Sequence, residues 1–82
     1  MGDSILTMRN VVVGKKYKHF KGIIVKVIAI AKDSDTLEAL VVYEHDNDVW
    51  VRKYSEFISE VDHEKYPNVK QKYRFEELNS EE

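Results

Sequence analysis

The chain has 82 residues, a net charge of −2, no cysteine and a single proline, which bounds it to one small domain whose core holds without disulfides or thiolate-bound metal. A domain of this size buries only about 60% of the surface its unfolded chain exposes, so a shallow site is expected rather than a deep catalytic cavity. No apolar run approaches the roughly 20 residues of a membrane-spanning helix, and the amino end MGDSILTMRN lacks a cationic start followed by a long apolar stretch, so a soluble cytoplasmic protein is expected.

Residues 1–10 read as a candidate disordered amino end, ahead of one β domain over 11–78 and a frayed acidic tail over 79–82. Residues 11–13 and 17–20 supply a first predicted strand, broken at Gly14. The run IIVKVIAIA over 23–31 has only Lys26 as a polar side chain, the composition of a strand covered on most of both faces. DSDT over 33–36 clusters short polar side chains that bond their own backbone, which predicts a turn. LEALVVYE over 37–44 returns as a strand, because Val41, Val42 and Tyr43 outweigh its helix-tolerant start. HDND over 45–48 is a compact polar turn into Val49, Trp50 and Val51, completing a three-strand meander.

Beyond the meander, KYSEF over 53–57 predicts a short helical turn with Ser55 as its amino cap and Phe57 facing inward, and Ile58 and Val61 continue the core. The polar stretch 62–72 holds Pro67 and reads as a surface loop. Tyr73 and Phe75 alternate with Arg74 and Glu76, marking a last, half-buried strand. The expected fold is mainly β: a small SH3-like curled antiparallel sheet or barrel of five to six short strands with one helical turn.

These segments resemble a known family. YKHFKG (17–22), an Ile/Val strand ending at Ala31, SDTLEALVVYE (34–44), WVR (50–52) and YSEFISEV (54–61) are similar to small bacterial and phage proteins catalogued as domain of unknown function number 1653. Its members read approximately Y-[KR]-H-[YF]-K-G, A-x-x-S-E-T-x-E-x-L-V-V-Y, W-x-R-P and a following M-F. The resemblance implies a compact β-rich domain and brings no established activity. This chain departs from the pattern at Asp35 and Lys53, and its loop between Tyr43 and Trp50 is shorter than usual, which puts ligand contacts made by that loop in doubt.

Charge is laid out in blocks. From Ser4 to Lys32 there are seven bases (Arg9, Lys15, Lys16, Lys18, Lys21, Lys26, Lys32) and no acid, whereas 33–64 holds ten acids against Arg52 and Lys53. Two readings stay open: a basic face for phosphate-bearing partners, or neighbouring strands that pair their opposite charges.

Under the first reading Tyr17, Phe20 and Trp50 offer stacking surfaces while Lys18, Lys21 and Arg52 neutralise phosphates. Alternation puts Tyr17, His19 and Lys21 on one strand face, so at least one aromatic of this stretch belongs to the core. Trp50 and Arg52 share a face with Val49 and Val51 on the other, so core valines would display indole and guanidinium together. His19 with Ser34 and Asp35 would serve hydrolysis only within hydrogen-bond reach of one another. His45, Asp46 and Asp48 lack the glycine and distal glutamate of a calcium loop, and His63 and Glu64 complete no ordered zinc spacing.

The expected function is therefore a non-enzymatic binding or adaptor module without cofactor or metal. Its candidate binding residues are Tyr17, His19, Lys21, Tyr43, Trp50 and Arg52. Nucleic acid or a protein is the expected partner, with no membrane role and with self-association as the open alternative.

Overall fold

The strands follow the apolar runs closely. In the computed structural model, which describes residues 10–78, the elements are β1 (Lys16–His19), β2 (Ile24–Lys32), β3 (Ala39–His45), β4 (Asp48–Lys53), the helical turn α1 (Tyr54–Phe57) and β5 (Phe75–Glu77). The expectations for residues 1–9 and 79–82 lie outside the described residues. The strands form one antiparallel sheet in the order β4-β3-β2-β1-β5. β4 and β5 sit at its two ends without joining, so the curled sheet is open and the barrel form is not realised.

Turn chemistry fixes the register. Gly22 takes φ 98° between β1 and β2, a left-handed conformation that costs glycine nothing. The Asp33 carboxylate accepts the amides of Asp35 at 2.8 Å and Thr36 at 3.1 Å, shaping the β2–β3 turn. Those bonds, the one from Thr36 foremost, hold its carboxyl below the ordinary range. Asp46 and Asn47, at φ 56° and 68°, make a two-residue hairpin loop between β3 and β4. Positive φ at both central positions matches the twist of the flanking strands. β2 also carries an irregularity between Val27 and Ala29 against β3, a bulge that bends the strand.

One face of the sheet holds the core. Tyr17, Val25, Val27, Val41 and Tyr43 point to it, and Phe57, Val61 and Phe75 close over them. Phe57 stacks on Phe75 with ring centroids 4.1 Å apart and planes within 4°, and meets Tyr17 edge-on at 5.3 Å. This aromatic packing anchors α1, since Lys53 stands at the cap position without a side-chain capping bond. Ser55, expected as the cap, lies inside the turn instead.

Two further expectations are corrected. Residues 11–13 are not strand; after them Gly14, at φ 94°, turns the chain into β1. Their amides are tethered by tyrosine hydroxyls, Val11 N–H donating to Tyr54 and Val12 N–H to Tyr17, each at 2.9 Å. Val49 and Val51 are not core either, at 63% and 55% exposed. Their partners in β3 are Glu44 and Val42, on the sheet face away from Phe57 and the core.

Truncating the stacked ring tests this account. Phe57→Ala should cost about 3–5 kcal/mol in urea unfolding, whereas Val49→Ala should stay within about 0.5 kcal/mol. Comparable losses for the two would mean that the core lies elsewhere.

Candidate functional site

Where the core ends, the same sheet face opens into a cleft of about 320 Å³. β1 brings His19 to it, the β1–β2 turn Lys21 and Ile23, β3 Tyr43 and His45, β4 Trp50 and Arg52, and β5 Phe75. Five of the six residues singled out in the sequence, His19, Lys21, Tyr43, Trp50 and Arg52, thus line one cavity. Tyr17 does not: it is 2% exposed and fills the core, its hydroxyl occupied by the Val12 amide.

The residues come together through register. Tyr43 faces Trp50 across the β3–β4 ladder, and Val41 faces Arg52. His19 faces Phe75 across β1–β5, so alternation sends all of these side chains to the core side. Tyr43, 8% exposed, forms the floor, while Trp50, 49% exposed, stands at the rim with its indole N–H donating to the His45 carbonyl at 3.4 Å.

The cleft is electropositive. Among the described residues no carboxylate lines it, while Lys21 and Arg52 do. A second cavity of about 330 Å³ shares His19, Lys21 and Arg52 and adds Lys65, Tyr66 and Arg74, with Asp62 as its one acid. Glu56 approaches Arg52 only at 4.0 Å from the exposed side, and the Arg52 guanidinium lies 5.5 Å from the Phe75 ring centroid. The Nε atoms of Arg52 and Arg74 are buried and have no hydrogen-bond partner among the described residues. An unmet buried donor costs about 1–3 kcal/mol.

His19 is tuned by this setting. Its Nδ1 accepts the Lys21 amide at 3.1 Å, so the neutral ring carries its proton on Nε2 as a donor. The ring stacks on Phe20 at 4.4 Å and meets Phe75 edge-on at 4.9 Å. Burial foremost, then the charges of Arg52, Lys21 and Arg74, push its pKa below the ordinary 6.5.

Several of the other bases of the amino-terminal half stand beside acids instead. Lys26 lies opposite Glu44 and Lys18 opposite Glu76, while Lys15 approaches Glu77 at 4.0 Å. Opposite-charge strand pairing thus accounts for much of the basic block, and Lys21 alone of it lines the cleft.

Ser34 and Asp35 lie in the turn after β2, whereas His19 is beside its start. The nine residues of β2 separate them, a path on the order of 25 Å. The three do not form a catalytic set. Among the described residues no three His, Cys, Asp or Glu side chains converge to hold a metal ion, and no helix is long and apolar enough to cross a membrane.

In the sequence Phe75 reads only as a half-buried strand residue and His45 only as part of a polar turn weighed for metal, and the second cavity is not foreseen. Arg74 and Tyr66 reach the site because the Phe20 amide donates to the Arg74 carbonyl at 3.0 Å and Tyr66 packs on Phe20 at 5.0 Å. Gln71 pins this segment by donating to the Lys18 and Tyr73 carbonyls, each at 2.9 Å. No periodic pattern encodes such loop contacts.

The model of the family described as "Protein of unknown function (DUF1653)" matches residues 15–77, and the chain belongs to that family. No curated protein and no solved structure matches it.

The electrostatics can be read directly from His19. Its folded pKa lies below the ordinary value, so the unfolded chain binds the proton more readily. The stability linked to neutral His19 is intact above about pH 6.5 and is lost as pH falls through the folded pKa. An NMR titration of the His19 ring should give a midpoint below 6.5, and Arg52→Gln should move it upward. A native midpoint at or above 6.5 would refute the cationic surroundings.

Proposed function

We propose that this family member is a non-enzymatic binding module whose cleft receives single-stranded nucleic acid. The observation that carries the reading is the union of aromatic walls and unbalanced cations in one cavity: Tyr43, Trp50 and His19 beside Lys21 and Arg52, with no carboxylate in the lining among the described residues. A base stacks on an aromatic face whatever its identity, and a cationic groove holds the phosphates beside it.

The joined cavities divide this work between them. The first is the more aromatic, with Trp50 at its rim, and the second adds Lys65 and Arg74 around the shared His19, Lys21 and Arg52. A base against Trp50 would set the adjoining phosphate toward the Arg52 and Arg74 guanidinium groups, which line the second cavity. Neutral His19 supplies a further N–H donor, and phosphate beside it would favour its protonated form.

Fluorescence anisotropy with labelled single-stranded RNA and DNA tests the reading. With three to four phosphates neutralised, affinity should fall roughly 20- to 50-fold between 50 and 200 mM salt. Trp50→Ala should lose about 1–3 kcal/mol of binding while the fold is retained. Absence of binding at 50 mM salt, or binding indifferent to both salt and Trp50, would reject the proposal.

A further inference from the structure

β4 ends the sheet, and among the described residues nothing pairs with its outer edge. Such an edge is ordinarily blunted by a proline, a bulge or an inward charge, because its free amides and carbonyls template further pairing. β4 has no proline, its register against β3 is unbroken from Asp48 to Lys53, and its inward charge, Arg52, is itself a group that a second strand could pair with. Instead it exposes Val49, Trp50 and Val51 in succession.

The sequence of this edge is self-complementary. Asp48, Val49, Trp50, Val51 and Arg52 read as acid, valine, indole, valine, base. We propose that β4 pairs antiparallel with β4 of a second copy about a two-fold axis through Trp50. Asp48 of each chain then faces Arg52 of the other, Val49 faces Val51, and Trp50 faces Trp50. In the single chain Asp48 has no ion pair among the described residues, and Arg52 has only the long contact to Glu56.

Hydrogen-bond parity supports the same register. The two-residue loop at Asp46 and Asn47 makes His45–Asp48 the hydrogen-bonded closing pair. Alternation then turns the amides of Trp50 and Arg52 inward to β3 and those of Val49 and Val51 outward. In the two-fold pairing the outward residues meet as Val49–Val51 hydrogen-bonded pairs. Trp50 meets its copy at the non-hydrogen-bonded position, where Cα atoms approach to about 4.5 Å and aromatic pairs are favoured. Sliding the register by two residues either way keeps the parity but separates Asp48 from Arg52.

The pairing has a consequence for the cleft. Trp50 and Arg52 line it, so the second copy brings its own Trp50 to the rim and the two clefts adjoin across the axis. The inference stands apart from the nucleic-acid reading, because the paired edge needs no ligand.

Sedimentation equilibrium of the ligand-free chain from micromolar to millimolar concentration tests it. The mass should rise from 9.7 kDa toward twice that value. Asp48→Arg and Arg52→Asp should each weaken association by about tenfold or more, since each places like charges opposite one another. An equimolar mixture of the two variants should associate again, because each introduced charge then faces its opposite. Val51→Pro, which removes an outward amide at a position an edge strand tolerates, should remain monomeric with an unchanged circular dichroism spectrum. A mass of 9.7 kDa throughout would overturn the proposal. So would a dimer indifferent to the charge variants, which would direct attention to the exposed apolar face instead.

Discussion

The parallel stack of Phe57 on Phe75, with ring centroids 4.1 Å apart, is the contact on which the rest of the arrangement depends. Its partners come from α1 and β5, the two elements least able to stand alone: a four-residue turn without a side-chain cap and a three-residue strand. Neither has enough hydrogen bonds to hold itself, since the first turn of a helix costs more order than its bonds return. Stacking brings both onto Tyr17 and Tyr43, and so closes the segment between them over one sheet face. Among the described residues nothing covers the other face, and β2, which looks like a buried strand in sequence, exposes Ile24 and Ile28.

The same stack determines where the cleft lies. Phe75 is at once core and cleft wall, and it carries His19 on one side and the Arg52 guanidinium on the other. The cations are therefore held against an aromatic surface instead of reaching freely into solvent. Arg52, like Arg74, has a buried Nε without an acceptor among the described residues, and burial and the neighbouring charges push the His19 pKa down. Local polar groups left unmet on an otherwise consistent fold are the places where function is expected to override packing.

Much of this was legible because alternation is strict. The meander and the inward-facing Phe57 followed from apolar runs and turn residues, and the grouping of Trp50 with Arg52 followed from spacing of two. Which face became core was not legible: Val49 and Val51 look like core residues, and only the position of α1 shows that Tyr43, Trp50 and Arg52 lie on the covered side. Tyr17 illustrates the same limit, since its spacing from His19 places both on one face but says nothing of depth along it. The loop from Asp62 to Lys72 was opaque for another reason. Its position depends on single bonds such as those of Gln71, for which a sequence carries no periodic signal.

With β4 paired as inferred, association and ligand binding share Trp50 and Arg52, so each must alter the other by an equal factor. The sign depends on the ligand. Asp48 of the second copy beside Arg52 partly neutralises it and opposes a small anion, but an exposed ion pair is worth only about 0–1 kcal/mol. The second Trp50 adds a stacking surface worth about 1–3 kcal/mol per base. A strand long enough to cross the axis gains more from stacking than it loses in charge, so it should strengthen association, whereas inorganic phosphate should weaken it. Sedimentation with each ligand in turn separates the cases. Equal effects from both would mean that the two clefts do not adjoin, because only a shared rim makes the length of the ligand matter.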